Sequence, residues 1–570
     1  MNLRALLRAI AVSLAVVLFA AGCAAIPTDG PVGKSDPLPG QNNPVNIDFR
    51  QSAPVPGASP SSIIEGFITA GTGVSDDFQV ARQYLSASLA KTWKADQRTL
   101  VYKDTFKVVP NGTETDYKVD FNVQSVVDAD GILTPSTSAA VETVKFGLTK
   151  EDGQWRISAV PDGIMLAAAN FDTLYSPYSL YFYDPTFTYA VPDVRWLAGK
   201  STTTATSLVR AILNGPAPYL KGAVASAFPD GMHLVRDSVP VTNGVAQVDL
   251  TEQPLIDASV KSRQQMQAQL MVTLQRNLNT VTSVTLRADT REVDLGSPDQ
   301  NQLPVVNNQV PDRQVALSKG QLVRYDGGQV TPIDGLPALD KYGPNHPALS
   351  YAKNLYAFLN ADGSQLYTVV PGQPEQLAAS GSGLTPPSFS PQDWIWTASG
   401  NGNGTVYAAH PDTSEPGKQT PVVSLNVQWL AGRTVTSFRV SRDGSRALVV
   451  SEQNGVSAVQ ITGILRNGDV PKDLTAPITL PDSVNARVGA WVNETSVAVM
   501  QPSVEDQVVV EILDLKADAQ QLAPLAGMVG LSAGNGALDL YGQTGRGVYV
   551  RVGNGWTLQG KDILQSSFAG

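Results

Sequence analysis

The segment SRDGSRALVV, at residues 441–450, is the clearest structural signal in the chain. It places a tight turn, at Asp443 and Gly444, between the short apolar segment RVS at 439–441 and a second apolar strand. Glycine is favoured in such a turn because it adopts a positive φ without steric cost. The segment therefore predicts an antiparallel β-hairpin.

Similar short apolar segments recur on both sides of this hairpin, with turns rich in Gly, Asp and Asn between them. The interval is about 40 to 50 residues, which is the period of β-propeller blades. The segments are ALS at 348–350, SFS at 388–390, RVS at 439–441, VGA at 488–490, a weaker unit at 529–552 and a further unit at 315–333. Residues 313–570 are therefore predicted to form an all-β, propeller-like domain of about six blades.

The composition of the 570-residue chain indicates several domains rather than one core. Charged residues make up 16% of the chain, which is below the usual ~25%. The 49 glycines and 39 prolines indicate many turns, as β-rich architecture requires. The formal net charge of −10 argues against nucleic acid as a partner and against electrostatic adhesion to anionic lipid.

Residues 171–297 are predicted to form an α+β domain. One helix ends at Asn214-Gly215-Pro216, where glycine can close the helix and proline prevents its continuation. A strand at 245–250 precedes a helix whose start fits a capping box at 262–265, and a strand at 281–287 follows. The core face of that helix is Met266, Leu270, Leu274 and Leu278. The motifs VPDVRWL (191–197), NGP (214–216) and VDL (248–250) resemble the GerMN domain.

Aromatic residues are concentrated at the start of this domain. The runs YFY at 181–183 and FTY at 187–189 flank Asp184-Pro185, which predicts a hairpin. Its aromatic face has two interpretations, because the rings can pack against a helix or a neighbouring domain, or stack on sugar rings. The sequence favours packing.

Residues 61–165 are predicted to form a smaller α+β domain. A helical face contains Ile63, Ile64, Phe67 and Ile68, and a second helix is predicted to begin at a Ser75 cap. Strands are predicted at 105–109, 117–126 and 141–148, with a last hairpin turning at Asp152-Gly153. The ending LTKEDGQWRI at 148–157 resembles the last hairpin of NTF2-like domains. Packing of Trp93, Tyr102 and Trp155 is favoured over a ligand pocket.

The N-terminus is typical of a bacterial lipoprotein signal. Arg4 and Arg8 precede an apolar run at 9–21, which is too short for a bilayer span of about 20 residues. Ala20-Ala21-Gly22 then precedes Cys23, the only cysteine of the chain. We expect cleavage of residues 1–22 after Gly22 and conversion of Cys23 to an N-acyl, S-diacylglycerol cysteine. The alternative is an ordinary signal peptide with a chance cysteine, although a lone cysteine cannot form an internal disulfide.

Residues 23–60 are predicted to be a proline-rich tether. They carry eight prolines, one aromatic residue and no apolar period, so they cannot bury enough surface to fold. No later segment reaches 18 consecutive apolar residues. We therefore expect the rest of the chain to lie on the extracytoplasmic face of the cell membrane, attached by its lipid.

Catalytic, metal and cofactor motifs give weak signals. The histidines, His233, His346 and His410, are far apart, and GLSAG at 530–534 matches the G-x-S-x-G motif without a later histidine. DADG at 128–131 lacks the other ligands of a calcium loop, and GNGNG at 400–404 lacks the lysine of a phosphate-binding loop. We predict no catalytic residues, no metal site and no cofactor.

The order of these parts resembles the actinobacterial LpqB lipoproteins. That order is the lipoprotein signal with Cys23, the proline-rich tether, the N-terminal α+β domain, the GerMN-like domain and the propeller-like half. The resemblance implies a cell-envelope lipoprotein that associates with the extracytoplasmic part of the MtrB sensor histidine kinase. It would thereby modulate the MtrA–MtrB two-component system. Only Cys23 matches a functional position of that family, and Ala20 stands where its signal usually has Leu.

Two classes of function follow from the sequence. The first is a membrane-anchored protein that binds and modulates a sensor histidine kinase. The second is a cell-wall glycan-binding protein or an accessory factor of a hydrolase, which would present aromatic or carboxylate side chains. The domain types and the long tether favour the first.

Overall fold

The computed structural model describes residues 51–570 except 75–77, 137–139, 200, 297–302, 353, 413–419, 481–484, 503 and 562. The signal peptide, Cys23, most of the tether and the predicted Ser75 cap lie outside the described residues. Short 3₁₀ helices cover Ala95–Gln97, Pro218–Leu220, Asp340–Tyr342, Gln428–Leu430 and Val504–Asp506.

The N-terminal domain packs helices against a curved sheet of order β6-β5-β3-β1-β7, with β2 and β4 paired to opposite ends of β3. The long β3 alternates buried and exposed residues, as a strand with one core face must. Its elements are α1 (Pro60–Ala70), α2 (Gln79–Arg82), α3 (Leu89–Thr92), β1 (Arg98–Lys103), β2 (Val108–Pro110), β3 (Asp116–Asp128), β4 (Leu133–Pro135), β5 (Val141–Glu151), β6 (Gln154–Ala159), β7 (Ile164–Ala167) and α4 (Ala168–Leu174).

The first helix of this domain confirms the predicted face. Ser59 caps α1 by accepting a hydrogen bond from the Ser62 N–H, and Pro60 occupies the first turn, where its missing N–H costs nothing. The apolar side chains of that face, Ile63, Ile64, Phe67 and Ile68, are buried. In the second helical segment, Phe78 has a φ of 58° and a single turn, α2, follows it.

The GerMN-like domain combines a two-stranded hairpin with a four-stranded sheet of order β10-β11-β12-β13. Strands β11 and β12 are parallel, and the connection between them runs through α6 and α7. Its elements are β8 (Tyr175–Tyr183), β9 (Ala190–Ala198), α5 (Ser201–Leu213), β10 (Val241–Thr242), β11 (Val245–Leu250), α6 (Glu252–Asp257), α7 (Val260–Asn277), β12 (Ser283–Ala288) and β13 (Arg291–Glu292).

The predicted capping box at 262–265 was wrong. Helix α7 begins at Val260, and Ser259 is its cap, because the Ser259 side chain accepts a hydrogen bond from the Ser262 N–H. Met266, Leu270 and Leu274 are buried as predicted, whereas Leu278 lies one residue beyond the helix as its C-cap. The predicted closure of α5 by Gly215 is confirmed by its φ of 91°.

The described part of the C-terminal half forms a six-bladed β-propeller, which confirms the predicted fold class. The six predicted segments all overlap blades, and their short apolar cores lie on or beside the inner strands. Gly444, with a φ of 75°, forms the predicted turn between the strands Thr434–Val440 and Arg446–Gln453.

Each blade is an antiparallel sheet of four or five strands. Blade 1 contains β14 (Gln314–Ser318), β15 (Gln321–Asp326) and β16 (Gln329–Pro332); blade 2, β17 (Asn345–Leu349), β18 (Tyr356–Leu359), β19 (Gln365–Val369) and β20 (Gln376–Ser380); blade 3, β21 (Ser388–Phe389), β22 (Ile395–Ala398), β23 (Thr405–Ala409) and β24 (Val422–Asn426). Blade 4 contains β25 (Thr434–Val440), β26 (Arg446–Gln453), β27 (Val456–Asn467), β28 (Val470–Leu474) and β29 (Ile478–Thr479); blade 5, β30 (Val488–Trp491), β31 (Ser496–Pro502), β32 (Gln507–Asp514), β33 (Gln520–Gln521) and β34 (Leu525–Ala526); blade 6, β35 (Met528–Ala533), β36 (Leu540–Thr544), β37 (Gly547–Val552) and β38 (Gly555–Gly560).

The last strand, β39 (Leu564–Ser567), closes the ring. It pairs with β14, so the C-terminal segment supplies the innermost strand of blade 1. Closure in this way removes the exposed inner edge that an open ring of blades would present.

Candidate interaction site at the domain junctions

A buried ion pair joins the N-terminal domain to the GerMN-like domain. Asp193 and Arg195 lie on β9 with side-chain exposures of 0% and 3%, and their nearest atoms, Arg195 Nη2 and Asp193 Oδ2, are 2.7 Å apart. Arg195 Nη1 donates to the carbonyl of Asp130 at 2.6 Å, and Asp193 accepts from the Ala217 N–H at 2.8 Å. The pair therefore ties β9 to the β3–β4 turn on one side and to the segment after α5 on the other.

Burial and the Asp193 carboxylate have opposite effects on the pKa of Arg195. Burial alone would lower the pKa of Arg195, but the hydrogen bonds and the charge of Asp193 outweigh it, so the pKa is raised. The guanidinium is therefore charged, and its stability in the core depends on the Asp193 carboxylate.

Aromatic packing continues the same junction. Phe171 stacks on Tyr175 with ring centroids 4.7 Å apart and on Trp196 at 5.5 Å. The Tyr175 hydroxyl hydrogen-bonds the Thr99 hydroxyl at 2.7 Å, which links the hairpin to β1. Tyr181, Phe182 and Tyr183 are also buried. These rings pack, as the sequence favoured.

The segment after α5 joins the GerMN-like domain to the propeller. Tyr219 and Leu220, with 4% and 0% exposure, pack in one cluster with Leu448, Val450 and other buried residues of blades 4 and 5. Thr475 donates its hydroxyl hydrogen to the Tyr219 carbonyl at 2.5 Å. An apolar contact of this kind fixes the relative position of the two domains within the described unit.

A second set of contacts at this junction comes from the Asp-Gly turn of blade 4. Arg446 is fully buried, its Nη2 lies 2.7 Å from Asp443 Oδ2, and its guanidinium carbon lies 4.9 Å from the centre of the Trp491 ring. Arg446 also donates to the Glu494 carbonyl at 2.8 Å, and the Glu494 carboxylate accepts from the Tyr181 hydroxyl at 2.7 Å. Burial, followed by the charge of Glu494, raises the pKa of Tyr181, so this hydroxyl stays a donor.

An open cleft of about 650 Å³ lies at the junctions, and residues of all three domains line it. Its rim carries exposed charged side chains, among them Lys103, Asp172 and Asp518. The deeper lining is Ser125, Ile132, Phe171, Trp196, Tyr219, Ile478, Leu480 and Leu515. A mixed apolar floor with a polar rim is the usual anatomy of a protein-binding or ligand-binding surface.

The G-x-S-x-G match, the DADG segment and Trp93, which the sequence analysis considered as possible functional features, take part in strand pairing, a turn and core packing. Ser532 of the G-x-S-x-G match lies in β35, where its Oγ accepts from the Phe568 N–H at 3.0 Å, so no strand–turn–helix elbow surrounds it. Asp128 accepts from the Asp130 and Ile132 N–H groups and so forms a turn. Trp93, at 2% exposure, packs against Phe67.

The three histidines lie in separate places. His233 belongs to the GerMN-like domain and His410 to blade 3, where it packs on Trp394. Burial, and then the charge of Arg439, lower the pKa of His346 in blade 2 to about 4. Within the described ranges, no group of three or more His, Cys, Asp or Glu residues is placed to bind a metal ion. The helices among the same residues include none that is both long and apolar enough to span a bilayer.

Sequence reasoning missed the junction arginines. Arg195 lies in the motif that resembles the GerMN domain and Arg446 in the strand predicted after the Asp-Gly turn, and neither was predicted to pair with an aspartate. An available signal was an arginine two or three residues from an aspartate within an otherwise apolar stretch, as in VPDVRWL at 191–197 and DGSRALVV at 443–450. Such a charge is tolerated in a core only when it is paired.

The fold and junctions define a three-domain protein with an N-terminal α+β domain, a GerMN-type domain and a propeller. Family models match each part: "Lipoprotein LpqB, N-terminal domain" at residues 53–172, "Sporulation and spore germination" at 179–294 and "Lipoprotein LpqB beta-propeller domain" at 320–564.

Relatives named Lipoprotein LpqB match along most of the chain. The protein of Rhodococcus opacus is 29% identical over 77% of this chain and 76% of its own length. That of Bifidobacterium longum is 26% identical over 78% and 76%, and that of Thermobifida fusca is 26% identical over 85% and 86%. The chain belongs to the LpqB lipoprotein family.

Proposed function

We propose that this protein is a lipid-anchored, extracytoplasmic regulator that binds the external domain of a sensor histidine kinase of the MtrB type and shifts its signalling equilibrium. It acts by binding and carries no catalytic residues. Cys23 is the lipid-bearing residue after removal of residues 1–22, and residues 23–60 are the tether. The three-domain cleft is the candidate contact surface.

The observation that carries this proposal is membership of the LpqB family, which brings with it the lipoprotein class. The kinase partner is what the resemblance of the sequence to that family implies. Support also comes from the cleft, whose lining is shared by all three domains and therefore depends on their fixed arrangement. A binding partner can shift a sensor between states only if it prefers one of them. Coupling of 1–3 kcal/mol is the usual size of such an effect.

The test is kinase autophosphorylation in membranes that contain the sensor. Three samples are compared, with the full-length protein, with a variant that lacks residues 1–60, and with no lipoprotein. The full-length protein should change the rate about 5-fold or more. The shortened variant should bind the sensor but regulate it poorly, because the anchor confines both proteins to one surface and raises their effective concentration. Equal rates in all three samples would contradict the proposal and favour the cell-wall glycan alternative.

A pair of charge reversals locates the contact. Asp518→Arg changes an exposed side chain of the cleft rim, and Asp326→Arg makes the same change on blade 1, away from the cleft. We expect Asp518→Arg alone to weaken binding of the sensor, since a charge reversal at a contact is unfavourable. If both variants bind as the wild type does, the cleft is not the contact surface.

A further inference from the structure

Two arginines line a small cavity on the axis of the propeller. The cavity has a volume of about 40 Å³ and lies where the inner strands of blades 4, 5 and 6 end. Arg439, Arg442, Trp491 and Ser532 contribute to its wall, with Tyr351 from the segment that follows β17. The residues after β39, 568–570, complete it.

Within the ranges that the structure describes, neither guanidinium is paired with an acidic side chain. Arg439 donates to the Pro387 carbonyl at 2.7 Å, and Arg442 donates to the carbonyls of Trp491 and Gly534 at 2.9 and 2.6 Å. Among the described residues, no carboxylate forms an ion pair with either of them. Asp443, the acid next to Arg442, is paired with Arg446.

Arg439 is half-buried and Arg442 is buried, so both guanidinium groups lose hydration without gaining a counter-ion among the described residues. This loss of hydration lowers the pKa of Arg439 to about 10, so the side chain remains charged at neutral pH. Arg442, at 6% exposure, also has a lowered pKa for the same reason. A buried, charged and unpaired group is a site where an anion would bind favourably.

An independent observation points to the same cavity. Tyr351 is 9% exposed, and its hydroxyl is buried without a hydrogen-bond partner among the described residues. A buried donor that makes no hydrogen bond costs the desolvation free energy of the group. An acceptor atom in the cavity would satisfy it.

We propose that the axial cavity binds a carboxylate group, with Arg439 and Arg442 as its counter-charges and the Tyr351 hydroxyl as a further donor. One water needs about 10–15 Å³ of such volume, so the cavity admits roughly three heavy atoms. A carboxylate group has three heavy atoms, whereas a tetrahedral phosphate has five. The planar donors of arginine also fit a carboxylate well. This site is separate from the three-domain cleft and does not depend on the proposed partner.

The test is thermal unfolding of the purified full-length protein in detergent, titrated with sodium acetate, sodium chloride or sodium phosphate at constant ionic strength. Acetate should raise Tm in a saturable way, because a ligand that binds only the folded state stabilises it. Arg439→Gln should weaken the apparent acetate affinity roughly tenfold or more, as the loss of a charge-assisted hydrogen bond predicts. Arg433→Gln is the matched control, because Arg433 lies in the same blade but bonds Ser451 and Gln453 instead.

Tyr351→Phe is a second test variant for the case in which Arg439→Gln does not fold. It is the milder change, because it removes one oxygen atom and no charge. It should also reduce the acetate response. The proposal is overturned if acetate, chloride and phosphate raise Tm equally, or if acetate has no saturable effect. It is equally overturned if both Arg439→Gln and Tyr351→Phe keep the full response to acetate. If the arginine variant does not fold, a full response of Tyr351→Phe alone overturns it.

Discussion

Single buried arginines determine how the parts of this protein meet. Arg195 connects two domains through the Asp193 carboxylate and the Asp130 carbonyl, and Arg446 connects blade 4 to blade 5 through Asp443, Trp491 and Glu494. A guanidinium offers five donors in a planar fork, so one side chain can reach several segments at once. The same property makes each of these sites dependent on its carboxylate.

Asp193→Asn should destabilise the protein by about 3–5 kcal/mol, because it leaves the Arg195 charge buried and uncompensated. The substitution preserves the size of the side chain, so packing is not the cause. The measurement is equilibrium unfolding in urea, followed by near-UV circular dichroism. The exposed pair of Arg98 and Glu142, whose side chains are 37% and 36% exposed, supplies the control. Glu142→Gln should cost no more than about 1 kcal/mol, and equal losses for the two variants would show that the buried pair has no special role.

At the scale of helices and strands, local patterns predicted most of the architecture. The inner strands of the blades were found because each is a short apolar segment between turn residues, and the Asp-Gly turn at 443–444 was correct in detail. The start of α7 was missed because Ser259 and Ser262 are both good caps, and Gln265, three residues after Ser262, completes a capping-box pattern that Ser259 lacks. Its end was missed because the Asn277 side chain donates to the Ser179 carbonyl, a residue 98 positions away.

The junctions could not be predicted, because they depend on pairs of distant residues. Nothing near Tyr219 in the sequence indicates that its carbonyl accepts from Thr475. The cleft, which is the candidate site, is likewise formed by segments of three domains and has no local motif. Only Cys23 was accessible to sequence reasoning, and it lies outside the described residues.

Gly463 tests the contact between the GerMN-like domain and blade 4. A Cβ at this position would lie 2.6 Å from the Ala223 Cβ and 2.7 Å from the Tyr219 carbonyl oxygen, so Gly463→Ala must displace the backbone of the partner segment. We expect a loss of about 1–3 kcal/mol, the usual cost of overpacking. Gly545→Ala is the matched control, because an added Cβ there meets nothing within 4 Å. Urea unfolding of both variants measures the difference, and an unchanged midpoint for Gly463→Ala would mean that the two domains are not in firm contact.

For the molecule as a whole, residues 51–570 form one compact unit, and its largest part is closed by its last strand. Closure pairs residues that are about 250 positions apart, such as Val315 with Ser567. Contacts of this kind are entropically costly to form and gain their stability only when the whole ring is complete. Blade 1 should therefore be the weakest point of the propeller when β39 is removed.

Deletion of residues 564–570 tests this dependence. It removes the partner of β14, the Ser566 carbonyl that accepts from Gln543, and the Phe568 N–H that donates to Ser532. Amide hydrogen exchange in β14 and β35 should accelerate roughly tenfold or more, whereas β3 and β5 of the N-terminal domain, which lie in a separate sheet, should keep their protection. A synthetic peptide of residues 564–570, added in excess, should restore protection by occupying the vacant strand position. If β14 exchanges at the same rate with and without β39, the blades are individually stable and the ring does not depend on its closing strand.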